Sequence, residues 1–427
     1  MHKRKYQYSG GVHMKKDTPD FEWIIREHEG KDLSAAQKMF TIETSRTAKA
    51  FHRQIPGYTQ TPLRALPNLA SMLSVGGIYV KDEAQRLELN SFKILGGSFA
   101  IYRYIQKQLS IPDKEMTYEY LVSKECHDKL GTITFASATD GNHGRGVAWA
   151  AKKLGHDCII YVHKDTSKAR IDAIRSYGAV VKIVQGNYDD AVRQVSVDAE
   201  KNGWVIISDT SWPGYTEVPT WIMQGYTTMM LEIQEQFAGL GIVRPTHVFV
   251  QAGVGALAAA VIGFYSALFP KDSPKFIVVE PDQAPCLFHS AQVNDGQPHS
   301  VDGDLDTIMA GLACGEPSPI AWSVLKECAD VFMQVPDYVA ARGMRILATP
   351  LKGDPFVISG ESGAVTLGAC YSLLTENGAD ELTDYLQFGP DSQILFINTE
   401  GNTDPMHFRQ IIWDGCDPVP KKYWTKR

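Results

Sequence analysis

The chain has 427 residues, of which 44% are hydrophobic and 21% charged, so it can bury a large core without disulfides or metals. Its net charge of −7 comes from 49 acidic and 42 basic residues spread along the chain, which argues against a nucleic-acid surface as its main function. No run approaches the roughly 20 apolar residues that a membrane helix needs, so no membrane partner is predicted.

The cysteines and the amino terminus carry little functional signal. Seven cysteines are scattered without a CxxC pair, so neither a disulfide framework nor a metal site is predicted, and a cytoplasmic location is expected. The segment 1–16 is basic and polar but lacks the apolar stretch of a secretory signal. We expect it to be a disordered extension, with initiation at Met14, or a tag left by cloning.

Strands and helices alternate along the first half of the chain. In chain order we predict a strand at 77–83, a helix at 95–109, a strand at 132–136, a helix at 143–154, a strand at 157–163, a helix at 168–177, a strand at 179–184, a helix at 188–201 and a strand at 204–208. Gly155 and Gly178 follow two of these helices, where glycine commonly ends a helix.

The second half repeats the alternation. A strand at 246–251 leads into Gly253 and an alanine-rich helix, and further strands are predicted at 275–280 and 393–398. The strands are continuous apolar runs, typical of parallel sheets buried on both faces, so we predict an α/β fold with helices covering parallel-rich sheets. In such folds ligands bind at the carboxyl ends of the strands, where the polar and glycine-rich clusters of this sequence lie.

The first cluster, 90–97, contains Lys93 at the start of a helix beside small polar residues and glycines. Burial can make a lysine amine nucleophilic enough to form an imine with an aldehyde cofactor. Taken alone, Lys93 is more simply explained as a solvated lysine at a helix start, because most lysines are exposed.

The second cluster, 137–146, lies between an apolar strand and an alanine-rich helix. Glycines there let the backbone approach a ligand, Asn142 can hydrogen-bond a ring hydroxyl, and Asp140 adds a carboxylate. A helix cap and turn would explain a single polar residue in this loop, and His143 is expected to shape the loop.

Two more clusters follow strands. Gly253, Val254, Gly255, Ala256 and Leu257 connect a strand to a helix, an arrangement that holds phosphate through backbone N–H groups, although tight turns also need glycine. The pattern is not the GxGxxG of dinucleotide sites. In the fourth cluster, 398–404, the Thr399 hydroxyl can meet a ring nitrogen, or the segment is an ordinary turn.

Taken in this order, the four clusters resemble the tryptophan-synthase-like (fold type II) family of pyridoxal-phosphate enzymes. The resemblance implies that Lys93 is the Schiff-base lysine, that Asn142 meets the 3′ oxygen of the cofactor, that 253–257 hold its phosphate and that Thr399 faces its pyridine nitrogen. It also implies a homodimer and an active site between two domains, a large one at 17–95 plus 220–427 and a small one at 96–219.

Within this family the chain resembles the diaminopropionate ammonia-lyases. An acid, Asp140, replaces the hydroxyl residue that most relatives have before Gly-Asn-His-Gly. The segments that carry the resemblance are 140–151, 219–226, 308–317 and 358–365, within a similarity that runs from about residue 51 to residue 413. The phosphate loop departs from the common four-glycine form, as it does in these lyases.

The resemblance implies elimination from 2,3-diaminopropionate, giving pyruvate and two ammonia. Lys93 would remove the α-proton of one enantiomer and Asp140 that of the other, and Asp209 matches an acid of these lyases. As alternatives without a catalytic role, Asp140 would be a helix cap and Asp209 an acid in a turn at the end of a strand. Thr399 would leave the ring nitrogen unprotonated, which favours elimination, although the neighbouring Glu400 competes for that position.

Some alternatives stay open at this stage. Cys286 and Cys314 match cysteines that lie close together in these lyases, so they form either a reversible disulfide or two buried thiols. Serine or threonine dehydratase and cysteine synthase activities are rivals of the same fold, and Asp140 speaks against them. A non-catalytic cofactor-binding scaffold is a rival of another class, against which Lys93 together with Asp140 speaks.

Overall fold

The computed structural model describes residues 19–28, 30–139 and 141–424. The predicted extension 1–16 and the predicted catalytic residue Asp140 therefore lie outside the described residues. The described strands are β1 (Glu22–Ile25), β2 (Leu63–Ala65), β3 (Gly77–Asp82), β4 (Thr134–Thr139), β5 (Asp157–His163), β6 (Val180–Val184), β7 (Val205–Ile206), β8 (His247–Gln251), β9 (Lys275–Pro281), β10 (Val331–Val335) and β11 (Gln393–Asn398).

A seven-stranded sheet forms the larger part of the molecule, with the order β1-β10-β9-β8-β11-β3-β2. The five central strands are parallel, as predicted, and β8 is buried at every position. The two edge strands, β1 and β2, run antiparallel to their neighbours. An edge strand needs only one partner and can join by a short connection, so the sheet is mixed although its centre is parallel.

A second sheet has four parallel strands in the order β6-β5-β4-β7. The prediction that the strands are buried on both faces holds for β4 but is wrong for β6, whose five residues are exposed or half-buried. Because β6 is the edge of this sheet, fewer neighbours cover its side chains. The predicted α/β fold, with helices covering parallel-rich sheets, is confirmed.

Helices cover both sheets. They are α1 (Ser34–Met39), α2 (Ile42–His52), α3 (Pro67–Met72), α4 (Lys93–Leu109), α5 (Tyr118–Leu121), α6 (Lys124–Leu130), α7 (Asn142–Lys153), α8 (Lys168–Arg175), α9 (Tyr188–Asn202), α10 (Glu217–Gly239), α11 (Ala256–Leu268), α12 (Cys286–Val293), α13 (Pro319–Cys328), α14 (Asp337–Ala348), α15 (Glu361–Thr375), α16 (Asp380–Leu386) and α17 (Pro405–Ile412), with short 3₁₀ helices at Glu83–Glu88, Ala310–Leu312 and Lys421–Tyr423. Among these described helices none combines the length and the apolar content of a membrane span.

Helix α4 packs closely against two other helices, and this contact fixes its first turn. A Cβ on Gly225 of α10 would lie 2.4 Å from the Leu95 carbonyl oxygen, and a Cβ on Gly146 of α7 would lie 3.1 Å from the Ile94 Cα. Only glycine permits such backbone approach at these crossings. The predicted domain boundaries fall inside α4 and α10, and the division into domains stays a prediction.

A buried ion network lies beneath the segment that leads into α4. The Arg86 guanidinium contacts Glu83 Oε2 at 2.8 Å and Glu232 Oε2 at 2.7 Å, and Lys81 Nζ lies 2.6 Å from Glu232 Oε2. Burial alone would raise the pKa of Glu232, but the charges of Arg86 and then Lys81 lower it to about 2. Breaking one partner of such a network costs about 3–5 kcal/mol, so it anchors this segment to α10.

Candidate active site

One cavity collects the residues that the four sequence clusters singled out. Its lining includes the predicted residues Lys93, Asn142, Asp209, Gly253, Val254, Gly255, Ala256, Leu257 and Thr399. The cavity is lined by residues at the amino termini of five of the described helices, namely the first residues of α4, α7, α9 and α11 and the second residue of α15. Helix amino termini carry partial positive charge and unpaired N–H groups, so this arrangement favours anionic groups in the cavity.

Lys93 is the first residue of α4 and is held by the turn that follows β11. Leu87, Glu88 and Asn90, just before it, have φ values of 47°, 60° and 54°, which are uncommon for residues other than glycine. The Phe92 N–H donates to the Thr399 carbonyl oxygen at 3.1 Å. This constrained segment directs the lysine side chain, 18% exposed, into the cavity, where its amine forms an ion pair with Asp209. Lys93 is thus not a solvated lysine at a helix start.

Asp209 is buried and ionised. Burial alone would raise the pKa of its carboxyl, but the charge of Lys93, followed by that of His143 and by hydrogen bonds, holds that pKa far below its usual range. The Tyr188 hydroxyl donates to Asp209 Oδ1 at 3.4 Å. The site therefore contains a negative charge opposite its one lysine among the described lining residues.

Asn142 is the first residue of α7. Gly141, which precedes it, has a φ of 147°, a backbone conformation that residues other than glycine rarely adopt. The Asn142 Nδ2 donates to Glu400 Oε2 at 2.5 Å, so the amide that the sequence assigned to a ring hydroxyl is oriented by a buried carboxylate. His143 Nε2 lies 2.8 Å from the Ile207 carbonyl oxygen and ties α7 to the segment before Asp209, consistent with the predicted role in shaping the loop.

Thr399 and Glu400 both line the cavity, so the structure places each of the two competing side chains at the site. Thr399 Oγ1 accepts a hydrogen bond of 3.0 Å from Gln251 Nε2. The buried Ser362 Oγ, at the start of α15, has no hydrogen-bond partner among the described residues. A buried hydroxyl without a partner is costly, which fits a site shaped to receive a polar ligand.

The glycine loop closes the other end of the cavity. Gly255, with φ of 97°, caps the 13-residue helix α11, whose first N–H groups have no partner within the helix. A Cβ on Gly253 would lie 3.0 Å from Cys314 Sγ and 3.2 Å from the Leu312 Cα, so the loop has no room for a side chain. The cavity thus offers an anion site, an amine, an amide and hydroxyl groups, a donor set that fits the phosphate, aldehyde, ring hydroxyl and ring nitrogen of pyridoxal phosphate.

Cys286 and Cys314 both lie close to Gly253, and the disulfide considered from the sequence stays a prediction. Cys286 Sγ is 3.6 Å from the Gly253 carbonyl oxygen. Burial, followed by the charge of Glu280, raises the pKa of the Cys286 thiol well above its usual range, which keeps it in the less reactive protonated form.

Three lining residues received no role from the sequence. Tyr188 was predicted only as the start of a helix, Gln251 only as the end of a strand, and Glu400 only as a competitor of Thr399. Their position in the sequence could have indicated them, because each lies where a strand or loop meets one of the recognised clusters.

The described residues contain no group of three or more side chains arranged to bind a metal.

A buried acid beside the cavity predicts a pH-dependent stability. Asp189, next to Tyr188, accepts a hydrogen bond of 3.1 Å from the Gly315 N–H, and burial, followed by the charge of Glu316, raises its pKa to about 6. Because the unfolded carboxyl ionises near pH 4, the free energy of unfolding should fall as pH rises from about 4 to about 6. Asp189→Asn, which keeps an acceptor for Gly315, should be more stable than the parent at pH 8 by up to about 3 kcal/mol.

Thermal unfolding of the Asp189→Asn variant and the parent at pH 4.5 and pH 8 measures this difference. The control is Asp190→Asn, because Arg193 and then Asn187 lower the pKa of Asp190, and no gain at pH 8 is expected there. A stability difference between Asp189→Asn and the parent that stays constant across the two pH values would contradict the assignment.

Comparison with known proteins places these features in context. A family model described as pyridoxal-phosphate dependent enzyme matches residues 55–399. A diaminopropionate ammonia-lyase of Salmonella typhimurium is 44% identical over 382 residues, covering 89% of this chain and 95% of that protein.

Solved structures give the same result. The crystal structure of diaminopropionate ammonia lyase from Escherichia coli in complex with D-serine has a TM-score of 0.87 and 40% identity, covering 94% of this chain and 98% of that one. The structure of the same lyase with an aminoacrylate-PLP azomethine reaction intermediate has a TM-score of 0.85 and 40% identity, covering 95% and 100%. A threonine deaminase of Solanum lycopersicum, at 21% identity and a TM-score of 0.67, shares the fold.

Proposed function

This chain belongs to the family of pyridoxal-phosphate-dependent enzymes, and on that premise we propose that it eliminates ammonia from 2,3-diaminopropionate. With one water, the diamino acid would give pyruvate and two ammonia, one from Cβ and one from Cα. The observation that carries the proposal is the ion pair of Lys93 with the buried Asp209 in a cavity that fits the cofactor. The similarity to the two lyases over most of the chain supports the choice of substrate.

Several described residues would hold the cofactor. The N–H groups of 253–257 at the start of α11 would bind its phosphate, Asn142 and Thr399 would contact its ring, and Lys93 would bind it covalently. When bound, pyridoxal phosphate supplies the electron sink for ionisation of the bond between Cα and its hydrogen.

Lys93 and Asp209 would have different roles: Lys93 would remove a proton, and Asp209 would bind a positive charge of the substrate. Once the Lys93 amine is released by the substrate, it is a base inside the cavity that can remove the α-proton. When that amine carries no charge, the carboxylate of Asp209 lacks its cation, and the β-ammonium of 2,3-diaminopropionate can take its place. Serine has no such ammonium, which is why Asp209 favours the diamino acid over a hydroxy amino acid.

The direct test is a pyruvate-release assay with both enantiomers of 2,3-diaminopropionate beside D-serine and L-serine. We expect clear preference for the diamino acids, because only they offer a cation to the buried carboxylate. Asp140→Asn is expected to abolish release from the D-enantiomer while the L-enantiomer still reacts. Equal or faster release from serine would instead indicate a dehydratase, and no release from any of the four would indicate a scaffold.

A cytoplasmic homodimer completes the proposal. The sequence has no cysteine pattern typical of a disulfide framework, and six of its seven cysteines are buried, which supports a reducing compartment. The dimer rests on the family resemblance, and light scattering of the purified protein at several concentrations would test it.

A further inference from the structure

Gln251 joins three elements at the wall of the cavity. It is the last residue of β8, is 1% exposed and lines the cavity beside the glycine loop. Its Nε2 lies 2.9 Å from the Ser362 carbonyl oxygen, 3.0 Å from the Ile397 carbonyl oxygen and 3.0 Å from Thr399 Oγ1. These contacts connect α15, β11 and the turn after β11 through one side chain.

The contacts leave only one orientation for the Gln251 amide. Main-chain carbonyl oxygens only accept hydrogen bonds, so the group that faces Ser362 and Ile397 must be the NH₂ and not the amide oxygen. The amide oxygen then points away from them, and it has no hydrogen-bond partner among the described residues.

This orientation determines what the Thr399 hydroxyl can do. The lone pair of an amide nitrogen is delocalised into the carbonyl group and does not accept hydrogen bonds, so Thr399 Oγ1 can only accept from this nitrogen of Gln251. Its own proton must be donated elsewhere, and the hydroxyl lines the cavity. Thr399 can therefore donate its proton to an acceptor at this end of the cavity.

We propose that Gln251 is a positioning residue that keeps the Thr399 hydroxyl as a donor toward the pyridine nitrogen and so keeps that nitrogen unprotonated. The inference rests on the proposed function and deepens it. An unprotonated pyridine ring withdraws electrons less strongly than a protonated one. The electron pair left at Cα when its proton is removed would then expel the β-substituent faster than Cα is reprotonated. Gln251 would thus favour elimination over racemisation through Thr399, without touching the substrate.

Two substitutions separate this role from simple packing. Gln251→Glu replaces the donor with a carboxylate that can accept the Thr399 proton, and Gln251→Met removes the donor while keeping the length of the side chain. In holoenzyme loaded with ¹⁵N-labelled pyridoxal phosphate, the ring-nitrogen NMR signal of Gln251→Glu should move toward that of a protonated pyridine. The ratio of elimination to racemisation of serine should fall about tenfold, as expected for loss of one hydrogen bond.

A double-mutant cycle tests whether Gln251 acts through Thr399. In a Thr399→Val background, which has no hydroxyl, Gln251→Met should leave the ring-nitrogen signal unchanged, whereas in the parent it should shift the signal. Gln334→Met is the matched control, because Gln334 lies in β10 and bonds Glu22 at the sheet edge. It should leave the signal unchanged.

Two outcomes would overturn the inference. One is a ring-nitrogen signal that is the same in the parent and in both Gln251 variants, and the other is an equal shift with and without the Thr399 hydroxyl. The signal is measured without substrate, so it is independent of the diamino-acid activity. If the parent fails to release pyruvate but the signal responds as expected, only the proposed function is wrong.

Discussion

Lys93→Ala should release pyruvate from 2,3-diaminopropionate at less than about a thousandth of the parent rate, because one amine has two roles. Lys93 is the covalent attachment point and also the base for the α-proton, and no other described residue lining the cavity has an amine. Addition of a small free amine to the assay should restore part of the rate, since it can supply a base of the same kind.

Borohydride reduction gives a second measurement of the same residue. In the parent it should fix the cofactor to the peptide that contains Lys93, as shown by mass spectrometry, and in Lys93→Ala it should not. Lys107→Ala is the control, because Lys107 lies on the same helix but is exposed and paired with Glu217 at 2.5 Å. Its rate should stay within about twofold of the parent, as for most surface substitutions. A Lys93→Ala rate equal to that of the parent would refute the proposed mechanism.

Much of the site could be predicted because its residues follow strands with strong apolar signals. The strand predictions at 157–163 and 393–398 coincide with β5 and β11, and the rule that ligands lie at the carboxyl ends of parallel strands then brings Thr399 toward the glycine loop. The glycines are also informative, because Gly255 has a positive φ and Gly253 has no room for a side chain.

The parts that were missed depend on long-range pairing. Strands β1 and β2 have four and three residues, and nothing local distinguishes them from loop, since each exists only because a neighbouring strand offers free N–H and C=O groups. Strand β10 is apolar but lies between two helices that the sequence analysis did not predict.

The partners of the site residues are also long-range contacts. Lys93 and Asp209 are 116 residues apart, and Asn142 and Glu400 are 258 residues apart. No spacing rule connects residues at such separations, because the packing of elements that are distant in the chain, such as α4 against α7 and α10, determines which side chains meet. The sequence could therefore name Asp209 as a candidate acid without showing that it pairs with the lysine.

Asp209→Asn should lower the rate of release from 2,3-diaminopropionate by about 100- to 1,000-fold, the effect typical of removing a preorganised charge from an active site. The amide keeps the size of the side chain and a hydrogen-bond acceptor for Tyr188, so the shape of the cavity should survive. The substitution removes the negative charge of Asp209. That charge pairs with the Lys93 ammonium in the cavity, and we propose that it also binds the β-ammonium of the substrate.

These two uses of the carboxylate can be separated by comparing substrates. If Asp209 binds the β-ammonium, Asp209→Asn should reduce kcat/KM for the diamino acid at least about tenfold more than kcat/KM for serine, which has no such group. If the carboxylate serves only Lys93, both substrates should lose the same factor, and the proposed origin of substrate preference would be wrong. Asp198→Asn is the control, because Asp198 pairs with Lys182 away from the cavity. This substitution should change kcat/KM for neither substrate. Since the substrate ratio cancels any general loss of folded enzyme, the comparison measures the charge of Asp209 against one ammonium group.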